Sequence, residues 1–481
     1  MNKSFFKKFD NLIRYYFYLI SIVPIFVVIY LIIRNYFINH YWIWYTNHFN
    51  FYILLLFFLS GLVYFIPKIK FKRNYFVVHA SLMTSIFLIN LVLELNIKKI
   101  KEKSYEENLL SKGFVIDKRD RREYIEFLKK KLNKENIYPY SSIRVPYWKG
   151  FKEYLDLDVK NKIYSFSHIS NSLIVTCNES GTWQHYKSDK YGFHNPEDII
   201  TNKDSKYVLI LGDSFAEGIC VKDGDDVGNQ LRKLKYNVLN LGKAAGGIIQ
   251  ANAIYREYKS YVKGKKPDVV ILLFYGVNDI LDTFNESRYP NISNYFYNPD
   301  FSNNLIKKQN KIDEMWKNIF EITYEKKFYY ERKKKEKEKN KLLAERNTRS
   351  EQLFWRVAKL NSLRKMIFKY LDKKPTEEHY NIYKKAISKL NQEVSINSKL
   401  IVVYLPNGEE LQNNDLRINK RAIEILNNLN IDSINLFNAF KKENFPIYFD
   451  AYPYGHYNSK GYNSLARTID KYLKKNLFQK N

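Results

Sequence analysis

Two stretches near the start of the chain, Tyr15 to Ile33 and Phe51 to Pro67, carry no charged side chain, and a third, Phe76 to Leu95, is interrupted only by His79, Asn90 and Glu94. No other feature constrains the fold as tightly. Backbone amides in hydrocarbon find no water, so a segment that lies there has to satisfy them internally, as a helix. Each run approaches the roughly 20 residues that cross a bilayer. The spacing predicts three transmembrane helices within residues 1–95, since a soluble helical hairpin offers little to bury three such runs against. Tyr41, Trp42, Trp44 and Tyr45 lie at a margin, where aromatic rings sit at headgroup level. Lys3, Lys7 and Lys8 precede the first run and Lys68, Lys70, Lys72 and Arg73 separate the second from the third, whereas the first loop holds Arg34 alone. Basic loops stay cytoplasmic, so the chain leaves the third helix on the extracytoplasmic side. Lys98, Lys99, Lys101 and Lys103 oppose this, but they open a long segment where the rule loses force. Asn35, Tyr36 and Phe37 offer no cleavage site, so the first run is an anchor rather than a removable signal. The expectation is a multi-pass cell-membrane protein with its main domain in the periplasm or at the cell surface.

The net charge of +29 raises the question of nucleic acid. The lysines are dispersed, and no zinc-ligand spacing, helix-turn-helix pattern or RNA-binding aromatic signature accompanies them, so no nucleic-acid partner is expected. Anionic lipid or acidic glycan suits such a surface better. Residues 96–200 form a second segment. RDRREYIEFLKKKLNKENI reads as a solvated amphipathic helix in a stalk, and residues 152–195 carry short β-type runs, among them SLIVTC. His194 stands alone between Phe193 and Asn195, which suits a structural role. The two cysteines, Cys177 and Cys220, are too few for a disulfide scaffold. In an oxidising compartment they are candidates for one bridge, worth about 2 to 4 kcal/mol, tying the accessory region to the chain around Ser214; two free thiols are the alternative.

From residue 207 the pattern becomes short apolar runs alternating with helical segments, the mark of βαβ units and a parallel sheet. Strands are expected at 207–212, 237–242, 268–276, 399–406 and 432–437, and helices near 226–235, 248–263, 415–429 and 459–475. Ligands of such sheets bind beyond the carboxyl ends of the strands. The first strand there is followed by Gly212, Asp213, Ser214, and the second by Gly242, Lys243, Ala244, Ala245, Gly246, Gly247. The third is followed by Gly276, Val277, Asn278, Asp279. Ser214 sits where a hydroxyl meets the donors of a helix start, and Asn278 is a neutral amide suited to a developing oxyanion. The glycine-rich loop lacks the spacing of a dinucleotide or phosphate cradle. His456, in PYGHYNSKGY before the last helix, has the chemistry to take and return a hydroxyl proton.

These four blocks, in this order, resemble the SGNH hydrolase superfamily, the GDSL-type esterases, over residues 207–281 and 399–475. The stretches VLNLGKAAGG and YGHYNSKGY are most similar to its membrane-attached bacterial members. The resemblance implies a three-layer αβα hydrolase domain at 201–481, with ester hydrolysis or acyl transfer through a serine acyl-enzyme and no cofactor or metal. It also implies Ser214 as nucleophile, His456 as base, and an oxyanion hole from Ser214, Ala245, Gly246 and Asn278. Two positions depart from the pattern. The loop glycine falls on Ala245, with Gly246 beside it, and the usual aspartate two or three residues before the histidine is replaced by Tyr454 and Pro453. Asp450 is the nearest carboxylate in sequence. Either it reaches His456 across the turn, or a backbone carbonyl orients the imidazole and the site is a dyad.

An insertion of about 290–395 interrupts the domain. Its lysine-rich stretch reads as an exposed helix or as a cap, with Trp316, Phe320, Phe328, Phe354 and Trp355 available to pack it. The function expected from the whole is a membrane-anchored esterase acting on O-acyl groups, acetyl above all, of an envelope glycan or lipid. The alternatives are an O-acyltransferase component working with a membrane partner, and a degenerate hydrolase kept for glycan binding or assembly.

Overall fold

The structure, a computed structural model of the chain, describes residues 11, 13–16, 69–97, 109–141, 165–324, 375–414, 417–443, 445–450 and 455–478. It divides into two compact units, one of residues 1–101, 148–150 and 338–372, the other of residues 102–147, 151–337 and 373–481.

In the first unit, helix α1 (Ile69–Ile97) contains a 20-residue window, Asn74–Leu93, of mean hydropathy 2.1. It is long and apolar enough to cross a membrane by length and composition. Val77, Val78, Leu82, Leu88, Ile89 and Val92 are all more than half exposed along it. Two polar residues face inward: His79 and Asn90 are buried, and His79 Nδ1 lies 3.0 Å from the Tyr16 hydroxyl. Apart from the residues around Tyr16, the first two apolar runs of the sequence lie outside the described residues.

The second unit begins with helix α2 (Arg121–Leu132), started by a capping box in which Asp120 and Glu123 each accept the other's backbone N–H. The sequence suggested a solvated stalk here. Instead Tyr124, Ile125 and Leu128 are buried against Ile137 and Val175, because the apolar spacing gives the helix one sticky face and a sheet lies under it. That sheet has three short strands, β1 (Ile137–Pro139), β2 (Leu173–Val175) and β3 (His185–Lys187), with β1 parallel and β3 antiparallel to β2. No gap separates this accessory region from the larger sheet and its helices. Phe166 packs edge-on against Tyr295, and Phe193 against Tyr258, within one continuous core.

The main sheet is wholly parallel, with strands β4 (Tyr207–Gly212), β5 (Asn237–Asn240), β6 (Val269–Phe274), β7 (Lys399–Tyr404) and β8 (Asp432–Asn435) in the order β5-β4-β6-β7-β8. Each falls where the apolar runs predicted it. Consecutive side chains of β4, β5 and β6 are buried, which requires cover on both faces of the sheet. The cover comes from α3 (Ser214–Glu217), α4 (Val227–Lys233), α5 (Ile248–Tyr258), α6 (Gly276–Glu286), α7 (Pro290–Tyr297), α8 (Gln309–Tyr324), α9 (Glu377–Ser395), α10 (Gly408–Asn413), α11 (Arg417–Asn428), α12 (Leu436–Lys441) and α13 (Ser459–Asn476). Helices α5, α6 and α9 pack on one another, as do α4 and α13.

The expected insertion is narrower than 290–395. Helix α9 buries Tyr383, Ile387, Leu390 and Val394 and leads into β7, so it belongs to the body. Helix α8 is held too: Trp316 is buried, and its indole N–H reaches Ser165 Oγ at 3.1 Å and Ser167 O at 3.0 Å, with Phe320 stacked beside it. Residues 325–374, including Phe328, Phe354 and Trp355, lie outside the described residues.

The carboxyl ends of β4 and β5 meet closely. Lys243 N donates to Gly212 O at 2.9 Å, and a Cβ placed on Gly242 would stand 2.4 Å from the Glu217 amide nitrogen. Gly242 is therefore fixed by backbone approach, with no flexible side chain able to yield. Gly242→Ala is expected to destabilise the fold by about 1 to 3 kcal/mol, as overpacking does. A urea unfolding midpoint equal to that of the unmodified chain would refute this packing.

Candidate active site

Strand β4 ends at Gly212, whose φ of 139° is open to glycine, and the chain turns at once into α3. Asp213 caps that helix, its Oδ1 accepting Phe215 N–H at 2.9 Å. Ser214 is thereby the first residue of a four-residue helix, half-buried at the sheet edge. Its Oγ lies 2.8 Å from His456 Nε2. His456 precedes α13, which Asn458 caps through Lys460 N and Gly461 N. Its ring packs 4.6 Å from the ring of Phe215, and Tyr457 beside it anchors the segment by donating its hydroxyl to Pro406 O at 2.6 Å.

The third member comes from the accessory region. Glu179, on the turn between β2 and β3, accepts both His456 Nδ1–H and His456 N–H on its Oε2, each at 2.8 Å. With Nδ1 protonated toward Glu179, Nε2 is left as the acceptor for the Ser214 hydroxyl. Asp450 does not fill this role. Its Oδ1 accepts from Asn458 Nδ2 at 2.9 Å and its backbone oxygen from Lys112 Nζ at 2.9 Å, so it braces the start of α13. An acid six residues from His456 in sequence is thus replaced by one 277 positions away.

Electrostatics support the relay. Burial alone would lower the His456 pKa, but the hydrogen bond and charge of Glu179, with the charge of Asp213, outweigh it and hold the imidazole above its ordinary value. Burial would likewise raise Glu179, yet its bonds and attraction to His456 keep it below the usual carboxylate range. Burial is the main cause that pushes Asp213 up to about 6. Asp279, buried and facing Asp213, is pushed well above the carboxylate range. Its Oδ2 accepts Tyr275 N–H at 2.7 Å.

Two of the expected oxyanion donors are backbone amides of the loop after β5. Ala244 N donates to Glu217 Oε2 and Gly247 N to Glu286 Oε1, leaving the Ala245 and Gly246 amides between them with no protein acceptor among the described residues. Ala245 has φ 67°, the left-handed region that glycine ordinarily occupies, so alanine stands at a glycine-type position with about 1 to 2 kcal/mol of strain. Asn278, in the first turn of α6, directs its Nδ2 toward Asp213 Oδ2 at 3.5 Å.

Behind the serine lies a second ionic cluster. Glu217 Oε1 accepts from His168 Nε2 at 2.6 Å and from Tyr186 OH at 2.7 Å, while Lys243 Nζ lies 2.7 Å from both His168 Nε2 and Ser141 O. All are buried. His168 Nδ1 faces Ser141 Oγ at 2.6 Å, so Ser141, His168 and Glu217 repeat the outline of a catalytic relay where no substrate can enter. Burial and then Lys243 hold His168 down to about 4; burial opposes Glu217's ionisation, but Lys243 and His168 overcome it and bring it to about 2; burial lowers Lys243 to about 8. His194 is structural as the sequence suggested, its ring nitrogens 2.9 Å from Glu217 O and 2.9 Å from Asp223 Oδ1. The two cysteines are bonded, with Cα atoms 5.3 Å apart. Both sulfurs of the Cys177, Glu179, Cys220 group are thereby taken up in the bridge rather than free to hold a metal ion.

Sequence reasoning placed Ser214, Asn278, the loop amides and His456 on one sheet edge, and missed Glu179, Glu217, Lys243 and His168. A signal for Glu179 was present. Cys220 follows Ser214 by six residues, so pairing it with Cys177 carries the carboxylate two residues further on to the serine. No family model matches the chain, and no curated protein matches it.

The buried cluster fixes an acid limit on stability. His168 stays neutral in the fold down to about 4 while the unfolded imidazole protonates near 6.5, so stability is lost as pH falls through that window. Glu217 adds a further loss from its ordinary 4.5 down to about 2. A shift of this size in His168 corresponds to about 3 kcal/mol. Urea midpoints are expected to fall between pH 6.5 and 4, and His168→Gln is expected to flatten that slope; an equal slope in the variant would contradict the assignment.

Proposed function

We propose that this protein is a membrane-anchored serine esterase of the SGNH hydrolase type, with a three-layer αβα domain working on the extracytoplasmic side. The observation that carries the reading is the relay from Ser214 through His456 to Glu179 at the open edge of a parallel sheet. The disulfide is in keeping with an oxidising compartment. Helix α1 would be the last of three spans, entering the membrane after the basic Lys68–Arg73 segment that includes its first turns.

Ser214 Oγ attacks the acyl carbonyl carbon as its proton passes to His456 Nε2. The oxyanion that forms receives hydrogen bonds from Ser214 N, from the Ala245 and Gly246 amides and from Asn278 Nδ2. As the tetrahedral species collapses, His456 returns the proton to the leaving alkoxide. Water, or an acceptor hydroxyl, then repeats the sequence on the acyl-enzyme. Glu179 stays ionised, holding the imidazole tautomer and stabilising the imidazolium. The substrate class is a small O-acyl ester, acetyl first, on an envelope glycan or lipid. An acyltransferase would share every step but the last, and would need a membrane partner to deliver acyl groups.

A fluorophosphonate probe is expected to label the protein, with labelling abolished by Ser214→Ala and His456→Ala and retained by Asp450→Asn. Absence of labelling in the unmodified chain would favour a binding protein over an enzyme. Transfer to a glycan hydroxyl without hydrolysis would mark an acyltransferase. Because the base must be neutral, the acidic limb of kcat/KM is expected above pH 6.5, and Glu179→Gln is expected to move it lower while reducing kcat. A limb unchanged by Glu179→Gln would remove Glu179 from the relay.

A further inference from the structure

We propose that the Cys177–Cys220 disulfide is the strap that holds the catalytic acid in the site, so that ester turnover depends on the oxidation state of this bridge. The proposal rests on the reading of Ser214, His456 and Glu179 as a relay. Three observations support it. Glu179 follows Cys177 by two residues, and Cys220 follows Ser214 by six, so the bridge joins the acid's turn to the segment leaving the nucleophile helix. A carboxylate oxygen of Glu179 and the two sulfur atoms all lie within 4.8 Å of one another. The turn's other anchors are local: Asn178 Nδ2 donates to Asp117 O at 3.1 Å, Asp117 N to Gly181 O at 2.6 Å, and Gln184 N to Cys177 O at 2.8 Å. Those partners belong to the accessory region and move with it. Among the described residues, the bridge and Glu179's bonds to His456 tie the turn to the sheet domain.

The accessory region as a whole does not need the bridge. His168 and Tyr186 bind Glu217 at the last position of α3, and His194 binds the Glu217 backbone. Opening the bridge therefore frees the turn without releasing the region. Cys177 is half-buried and Cys220 buried, so Cys177 Sγ is the sulfur open to attack. A dithiol thiolate attacks Cys177 Sγ, the S–S bond breaks, and Cys220 leaves as a thiolate that takes a proton. The second thiol of the reductant then displaces Cys177, giving two protein thiols and an oxidised dithiol. Of the charged groups facing the imidazole, Glu179 departs with the turn and Asp213, at the end of β4, stays.

The test compares the full-length protein oxidised, reduced with dithiothreitol, and as the Cys177→Ser/Cys220→Ser double variant. The readouts are p-nitrophenyl acetate hydrolysis and titration of the His456 imidazole by NMR. Opening the bridge is expected to lower kcat on the order of 10²-fold with little change in KM, as misplacement of a supporting group does. The imidazole titration is expected to move down to where Glu179→Gln puts it, and reducing the Glu179→Gln protein is expected to cost nothing further. Full rate and an unshifted imidazole, with both thiols shown free by maleimide counting, would overturn the strap. So would an equal additional loss in the Glu179→Gln background. In-place reduction answers the question even where the double variant does not fold. An oxidised protein inert to every ester and to fluorophosphonate defeats the enzyme reading instead, and the imidazole titration still decides the role of the bridge.

Discussion

The Glu217 carboxylate is the interaction on which the rest of the site depends. It sits in the same four-residue helix as Ser214 and joins three pieces of chain that are far apart in sequence. It accepts His168 and Tyr186 from the accessory region and the Ala244 amide from the loop after β5. An unpaired carboxylate so deeply buried would be prohibitive, and Lys243 offsets it from the loop itself, 4.9 Å above the Tyr140 ring. The consequence is geometric. With Ala244 N and Gly247 N committed to carboxylates on either side, the amides of Ala245 and Gly246 between them are left without a protein acceptor among the described residues. The buried charges thus hold the loop after β5 through its backbone amides.

The parallel sheet was legible because its signal is redundant. Five short apolar runs, each ending in glycine or a polar turn, leave few other ways to bury themselves, and all five formed where expected. Ser214, Asn278 and His456 were legible for a related reason: they come directly after strand ends or before a helix, where position along the chain predicts position in space. Glu179 obeys neither rule. It lies on the turn of a three-stranded sheet whose strands are three residues each, and its one local mark is Cys177 two residues before it, which speaks only once that cysteine is paired with Cys220. Asp450 was the natural expectation, since loop closure over a few residues is entropically cheap. Tertiary packing made the distant carboxylate available and gave Asp450 a different task. Helix α2 was misread as a stalk for the same kind of reason, its lysines outweighing in composition a narrow face of Tyr124, Ile125 and Leu128.

Two relays of similar outline stand within this domain, and their difference shows what geometry alone does not decide. Ser141, His168 and Glu217 have hydrogen bonds as short as those of Ser214, His456 and Glu179. The first set is sealed, with Ser141, His168 and Glu217 each about 1% exposed. Its histidine is held down to about 4, so it stays neutral, while a lysine already balances the carboxylate. The second set is half open, and its histidine is raised by the carboxylate bonded to its Nδ1. A base that must accept and return a proton near neutrality needs the second environment. The sealed relay has the other use, in which a proton that never moves fixes two regions of chain together. Bringing the carboxylate of the open set from the accessory region has one further consequence: that region carries a direct partner of His456, and whatever displaces it reaches the imidazole.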